Sequence, residues 1–317
     1  MMPLPTTRAA QLAPAPSTAR GWLIEGLWSA QAVGIIGGEP KCGKSFLALD
    51  LAVAVASGAP CLRHFPTCQC GRVLLFAAED ATHIVRQRLE GIAAAAAADF
   101  QSLDVHLITV PTLRLDRREH QQALDATVAQ LQPKLLVLDP FVRLHGIDEN
   151  VAAEVAPLLA YLRALQRSYQ TAVALVHHAR KGAAHERGGQ ALRGSSELHA
   201  WGDSNLYLRR HGQNLQLSIE HRAAPGADRL PLTLKVRPPA LALEIVDQQP
   251  APAATAQSSC LQRIEQAFAG THQPLTQKKI RDIVRMRTSD VSQALAALVV
   301  NGRLIKSADG YQLNPSP

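Results

Sequence analysis

A chain of 317 residues with 47% hydrophobic and 19% charged residues has a globular composition and room for two unequal domains, which excludes fibrous, collagen-like and low-complexity classes. Lys and Arg number 33 against 26 Asp and Glu, for a net charge of +7 and a pI near 9.4, a lean toward a polyanionic partner such as nucleic acid. No stretch is long and apolar enough to span a bilayer and the N-terminus lacks an apolar signal core, so no membrane association and a cytoplasmic location are expected.

Residues 1–20, MMPLPTTRAAQLAPAPSTAR, read as a flexible Pro/Ala tail. From residue 32 to residue 176 short apolar runs alternate with helical stretches: AVGII then 44–57, VLLF then 81–98, VHLITV then 119–131, KLLVLD then 151–168, and TAVALV. This rhythm predicts an α/β fold, a mostly parallel sheet with crossover helices, and the unbroken apolar character of LLVL and AVALV suits strands buried on both faces. From residue 204 the pattern becomes alternating, in NLYLRR, NLQLSIEH, LPLTLKV and LALEIV, and predicts antiparallel strands on the sheet's edge. A main domain over 21–246 is therefore expected, then a Pro/Ala/Gln-rich linker over 247–257 and a C-terminal unit over 258–317.

Residues 38–45, GEPKCGKS, follow a buried strand and open a helix, the context in which G-x-x-x-x-G-K-S forms a phosphate-binding loop. Glycines let the backbone close around phosphate oxygens, successive N–H groups and the helix N-terminus donate to them, and the lysine bridges the β and γ oxygens. The expected nucleotide contacts are Gly38, Lys41, Cys42, Gly43, Lys44, Ser45 and Phe46, with ATP as ligand and Mg²⁺ on Ser45. Asp139 ends KLLVLDP where a carboxylate can serve the same metal, although an ordinary loop Asp would look alike. Glu79, just after VLLFAA, is the candidate base for hydrolysis because its strand can neighbour the phosphate-loop strand, and Asp80 is the expected cap of the next helix. His177 and His178 close TAVALV, so one should face the γ-phosphate side while the other packs.

Cys61, His64, Cys68 and Cys70 are close enough in sequence to raise a zinc site, but their spacing matches no common zinc motif and a loop or hairpin there needs no metal. Five cysteines without a secretory signal point to reduced thiols.

The set GEPKCGKS, FAAED, VLDPFVRLHGIDEN, LVHHARKG and ALRGSSEL, in this order, resembles the RecA-like P-loop ATPases related to RepA-type hexameric replicative helicases, over about residues 21 to 246. The resemblance implies a hexameric ring with ATP between subunits, Glu79 as base beside Lys44, Asp139 at the metal, His178 as γ-phosphate sensor and an arginine finger acting in trans. Where the wider superfamily carries Lys-x-Arg this chain has Glu220-His221-Arg222, so Arg222 is the first choice of finger and Arg193 the second. It also implies that the segment ARKGAAHERGGQALRG, with Arg180, Lys181 and Arg187, lines a channel for single-stranded DNA; basic side chains among glycines suit contacts that track a phosphate backbone.

In the C-terminal unit, CLQRIEQAFAG, TQKKIRDIVRM and TSDVSQALAALVVNG read as three helices and RLIKSADGYQL as a two-stranded wing, resembling a winged helix-turn-helix domain. Its third helix should bury Val291, Leu295 and Leu298 and present Ser292 and Gln293 to duplex DNA, with Lys279 and Arg287 among the flanking cations; a protein-interaction role is the alternative. The expected function is an ATP-dependent, ring-forming DNA helicase or translocase for a plasmid, phage or integrated element. The rival is a DNA-binding ATPase switch, a regulator or recombination loader without unwinding.

Overall fold

The computed structural model describes Leu4, residues 6–11, 21–179, 197–211, 214–237 and 240–246, and, nearer the C-terminus, 264, 267–268, 274–284, 288–301, 303–307 and 310–314. The chain divides into two compact units, Met1–Val246 and Asp247–Pro317.

Unit one opens with a short antiparallel pair, β1 (Trp22–Ile24) and β2 (Trp28–Ser29), followed by β3 (Val33–Gly38) and α1 (Lys44–Ser57). Next come β4 (Val73–Ala77), α2 (Thr82–Ala95), β5 (Val105–Leu107), α3 (Arg118–Leu131), β6 (Leu135–Asp139), α4 (Ala152–Tyr169) and β7 (Ala172–His178). The short α5 (Glu197–Trp201) leads to β8 (Ser204–His211), β9 (Asn214–His221), β10 (Ala227–Arg237) and β11 (Ala240–Ile245). All but the first two strands form one nine-stranded sheet in the order β11-β10-β9-β8-β3-β7-β6-β4-β5. The block from β8 to β5 is parallel and β9 to β11 continue it antiparallel.

Three sequence expectations change here. NLYLRR was grouped with the antiparallel strands, yet β8 runs parallel to β3, pairing Leu206 with Ile36 and Leu208 with Gly38; its alternating pattern reflects an Asn, a Tyr and an Arg on the second face, not strand direction. The strand VHLITV shortens to three residues at the sheet edge, where only β4 offers backbone partners. The strand bearing Glu79 does not neighbour the phosphate-loop strand: β7 and β6 lie between β3 and β4.

The two faces of the sheet bury separate apolar cores. α1 and α2 cover one, where Leu47, Leu51, Val55, Leu89 and Ile92 meet Ile36, Leu75, Val137 and Val176. α3, α4 and α5 cover the other, where Leu124, Leu159, Leu162 and Leu198 meet Ile35, Leu74, Leu136 and Leu175. Burial on both faces gives the central strands their continuous apolar sequence. No helix among the described residues is long and apolar enough to cross a membrane.

In unit two, α6 (Gln277–Val284) and α7 (Thr288–Val300) precede an antiparallel pair, β12 (Leu304–Ser307) and β13 (Gly310–Leu313). A separate core gathers Ile264, Phe268, Ile280, Val284, Val291, Leu295, Leu298 and Leu304. The first of the three expected helices falls largely outside the described residues.

Candidate active site

β3 delivers the chain to its C-terminal edge at Gly38, whose φ of +154° is costly for any residue with a Cβ. A Cβ there would also run into the Leu208 carbonyl and come within 2.8 Å of the Cys42 sulfur. Gly43 caps α1 in the left-handed region, φ 94° and ψ 15°, and Lys41 is left-handed as well, at φ 63°. The loop therefore wraps tightly onto the helix start, with Lys44 95% buried in it. The Lys44 ammonium donates to the Glu39 carbonyl at 2.7 Å. Burial lowers its pKa, opposed by Cys42, Asp139 and Glu79 nearby. Cys42 is fully buried and its thiol pKa is pushed up by burial. Phe46 lies under the Arg88 guanidinium, 5.1 Å from the ring centre.

At the end of β6, burial pushes the Asp139 carboxyl up to about 6, against the pull of a hydrogen bond from the Ser45 hydroxyl. β4 pairs directly with β6, setting Ala77 opposite Asp139, and the Ala78 N–H donates to the Asp139 carbonyl at 2.8 Å. This register puts Glu79 at the same edge, and Glu79 acts electrostatically on Lys44, Asp139 and His178 alike. Asp80 is not the cap of α2: Ala81 occupies the cap position and no side chain caps it. Asp80 instead accepts two hydrogen bonds from Arg88, at 2.5 and 3.1 Å, a bidentate pair that a lone helix N–H cannot match.

β7 sets His178 opposite Gly38 in the ladder with β3. Burial first, and then the charge of Lys44, lower the His178 pKa and favour the neutral imidazole, and among the described residues its buried Nδ1 has no hydrogen-bond partner. His177 faces the other core, with its ring 5.8 Å from that of Phe141. Alternation along β7 thus separates the two histidines as expected of adjacent strand residues.

Ser45 Oγ and the Asp139 carboxylate are hard oxygen donors already in contact beside a buried lysine, a donor set that fits a small hard cation such as Mg²⁺ held against phosphates. Lys44 and Asp139 are both buried in surroundings that disfavour their charges, as befits a site that receives an anion and a cation.

Residues 2–184, more than half of the chain and the span that carries this edge, match the family model for an AAA domain. The chain belongs to this AAA domain family. Solved structures add the fold: the ATPase domain of G40P aligns with TM-score 0.51 and 13% identity over 67% of this chain and 84% of its own. A DnaB-like replicative helicase, described with its interactions with primase, aligns with TM-score 0.51 and 13% identity over 66% of this chain and 56% of its own. The RadB recombinase aligns with TM-score 0.50 and 16% identity over 69% and 92%. At these identities the likeness is one of fold, and the first unit of this AAA domain protein is a RecA-like α/β P-loop core.

Arg222 is not brought to this edge. It follows β9, whose last residue His221 pairs with Ser204 at the start of β8, so it lies at the opposite strand ends. There it donates to the Ala200 carbonyl at 2.6 Å and approaches Asp203 at 3.4 Å. Arg180, Lys181, Arg187 and Arg193 lie outside the described residues, as do Arg287 and the side chain of Gln293. Lys279 is exposed on α6; Ser292 is exposed on α7 and accepts a 2.6 Å hydrogen bond from Gln277. Val291, Leu295 and Leu298 are buried. Cys61 is buried against Asp50 at 3.4 Å while Cys68 and Cys70 are exposed, and among the described residues no three such side chains converge on a metal position.

Two arginines at the active edge went unassigned from sequence. Arg143 forms an ion pair with Glu79, Nε to Oε1 at 3.0 Å, and Arg210 donates to the Lys41 carbonyl at 3.4 Å. The signal for Arg143 was a cation four residues beyond Asp139, inside VLDPFVRLHG. Arg210 had none, because NLYLRR reads only as a strand.

Proposed function

We propose that this AAA domain protein is an ATP-hydrolysing DNA translocase or helicase that works as a ring of identical subunits, a hexamer, in the replication of a plasmid, phage or integrated element. One observation carries the reading: Lys44, Ser45, Asp139, Glu79 and His178 converge from four different elements on one sheet edge, within mutual electrostatic reach. The glycine-shaped loop and Lys44 hold the β and γ phosphates, and Lys44 leaves the Glu39 carbonyl for them. Ser45 and Asp139 would hold Mg²⁺, whose contribution is to neutralise phosphate charge. Glu79 orients the attacking water and accepts its proton. His178, neutral and with an unpartnered nitrogen, reports the γ-phosphate through a hydrogen bond.

Arg222, at the strand ends remote from its own phosphate loop, can serve only a neighbouring subunit's nucleotide, and this is the role we assign it. The segment with Arg180, Lys181 and Arg187 is assigned to single-stranded DNA in the ring channel. The second unit is assigned to duplex DNA as a winged helix, through Lys279, Arg287, Ser292 and Gln293. The domain limits proposed are 21–246 and 258–317, joined by 247–257; the division of the chain after Val246 supports them.

The test is ATP turnover with and without single-stranded DNA, paired with displacement of an annealed strand, for wild type and Lys44→Ala. The reading requires DNA-stimulated turnover and displacement by wild type alone. DNA-independent turnover without displacement would remove the motor, and a duplex-specific footprint in that case would identify an ATPase switch.

A further inference from the structure

Where β9 ends, the chain comes out onto the surface: Arg222, Ala223, Pro225 and Gly226 are exposed. The Arg222 side chain is 55% exposed, and its guanidinium meets the Ala200 and Trp201 carbonyls and Asp203, contacts that a phosphate can replace. Its direction is therefore set by the residue that carries it out of the sheet. His221, the last residue of β9, is held on three sides. Its ring lies edge-on to Trp22 at 4.9 Å, Nε2 is 3.3 Å from the Gly26 carbonyl, and Nδ1 is 3.1 Å from the Ser204 hydroxyl. A carbonyl can only accept, so Nε2 carries the hydrogen and Nδ1 accepts from Ser204, which uses the one donor and one acceptor of a neutral imidazole. Burial lowers the His221 pKa and favours this form. The base it is tied to is firm. Ser204 is fully buried and accepts from the Ser29 N–H at 3.0 Å, while Leu23, Ile24, Leu27 and Trp28 of the β1–β2 hairpin are buried. The Leu23 carbonyl also accepts from the N–H groups of Cys68 and Gln69, at 2.9 and 3.2 Å.

We propose that His221 is a positioning residue that aims Arg222 at the nucleotide of the neighbouring subunit. The proposal rests on Arg222 acting in trans, the role assigned to it above. A leucine would fill the space of the imidazole without the cost of burying a polar ring, so what histidine adds is direction: two hydrogen bonds at fixed angles to two different elements. They fix the backbone at His221, and the Arg222 N–H, donating to the Asp203 carbonyl at 2.9 Å, fixes it one residue on. The guanidinium ends a long side chain, so a small rotation of this backbone displaces it by about 1 Å, and a misplacement of that size costs about 10²-fold in rate.

The experiment measures steady-state ATP turnover of the full chain as wild type, His221→Leu, His221→Gln and Arg222→Ala, each alone and co-expressed with an excess of Lys44→Ala chains, alongside thermal unfolding of each. A Lys44→Ala subunit has no working site of its own but brings an intact Arg222 to its neighbour. Arg222→Ala should lower kcat by about 10³-fold or more, and His221→Leu by about ten- to a hundred-fold, both with little change in KM for ATP. His221→Gln, whose amide can still donate to the Gly26 carbonyl, should fall between His221→Leu and wild type. Lys44→Ala partners should restore turnover per competent site to Arg222→Ala and to His221→Leu alike, which a structural defect in the variant's own site would not allow. Wild-type turnover by His221→Leu, or a deficit that Lys44→Ala partners leave in place while they rescue Arg222→Ala, overturns the positioning role and leaves the trans arginine intact. Where His221→Leu unfolds early, His221→Gln decides on the same terms. Arg222→Ala turning over like wild type, or beyond rescue, removes the trans arginine and His221 with it.

Discussion

The two ends of the strands in the large sheet are built on opposite principles. At the C-terminal ends, charged groups sit in environments that disfavour their charge: Lys44 is lowered, Asp139 is raised to about 6, and His178 is held neutral with a bare nitrogen. At the N-terminal ends the charges are answered. Asp203 accepts from both terminal nitrogens of Arg163, lies 3.4 Å from Arg222, and takes the Val33 N–H at 3.3 Å, while Arg163 also donates to the Trp201 carbonyl at 2.5 Å. The first arrangement stores unmet interactions for a ligand, and in the second the Arg163–Asp203 pair spends its interactions on the fold.

Breaking the first end should cost activity more than stability. Glu79→Gln should lower ATP turnover by about 10²- to 10⁴-fold, the usual worth of a general base, while a fluorescent ATP analogue still binds; retained turnover would place the base elsewhere. Lys44→Ala should lower turnover by about 10²- to 10³-fold through loss of a preorganised cation on the phosphates, and analogue binding should weaken in the same titration.

Breaking the second end should do the reverse. Asp203→Ala leaves Arg163, 19% exposed, without its carboxylate, and should destabilise the chain by about 2 to 3 kcal/mol in urea unfolding, discounted from the cost of a fully buried pair. Nucleotide binding should be retained; if stability is unchanged, the network at this end is ornamental.

The sharpest contrast between the ends is a change of sign. Asp139 has a folded pKa near 6 against 3.8 for the free group, so the folded chain binds the extra proton and stability falls as pH rises from about 4 to 6. Above about pH 7 the penalty is constant. Asp139→Asn should therefore stabilise the nucleotide-free protein by about 3 kcal/mol at pH 8, with the gap closing toward pH 4, and should abolish turnover. A destabilised Asp139→Asn at pH 8 would mean that the Ser45 hydrogen bond outweighs burial.

Much of this was legible because local sequence and local structure coincide. GEPKCGKS is contiguous, and the positive φ at Gly38 and Gly43 favours glycine, so the motif carries its own structure. The central strands announced themselves by apolar runs and the helices by length. Asp80 was misread because a helix-start Asp usually caps; what decided otherwise was Arg88, two turns along α2 and invisible as a partner until the helix formed. Glu79 follows β4, which borders β6 and not the phosphate-loop strand, since strand order is set by crossovers rather than by succession along the chain.

The sequence by itself determined the phosphate loop, the α/β alternation and the apolar layers on both faces of the sheet, because each depends on residues within a few positions of one another. Only the tertiary structure decided that β4 borders Asp139 rather than the phosphate loop, that β8 runs parallel, that Arg143 holds Glu79 and that Arg222 stands at the far strand ends. Those are pairings between segments tens of residues apart, and they are selected by the packing of whole layers, which no short window of sequence contains.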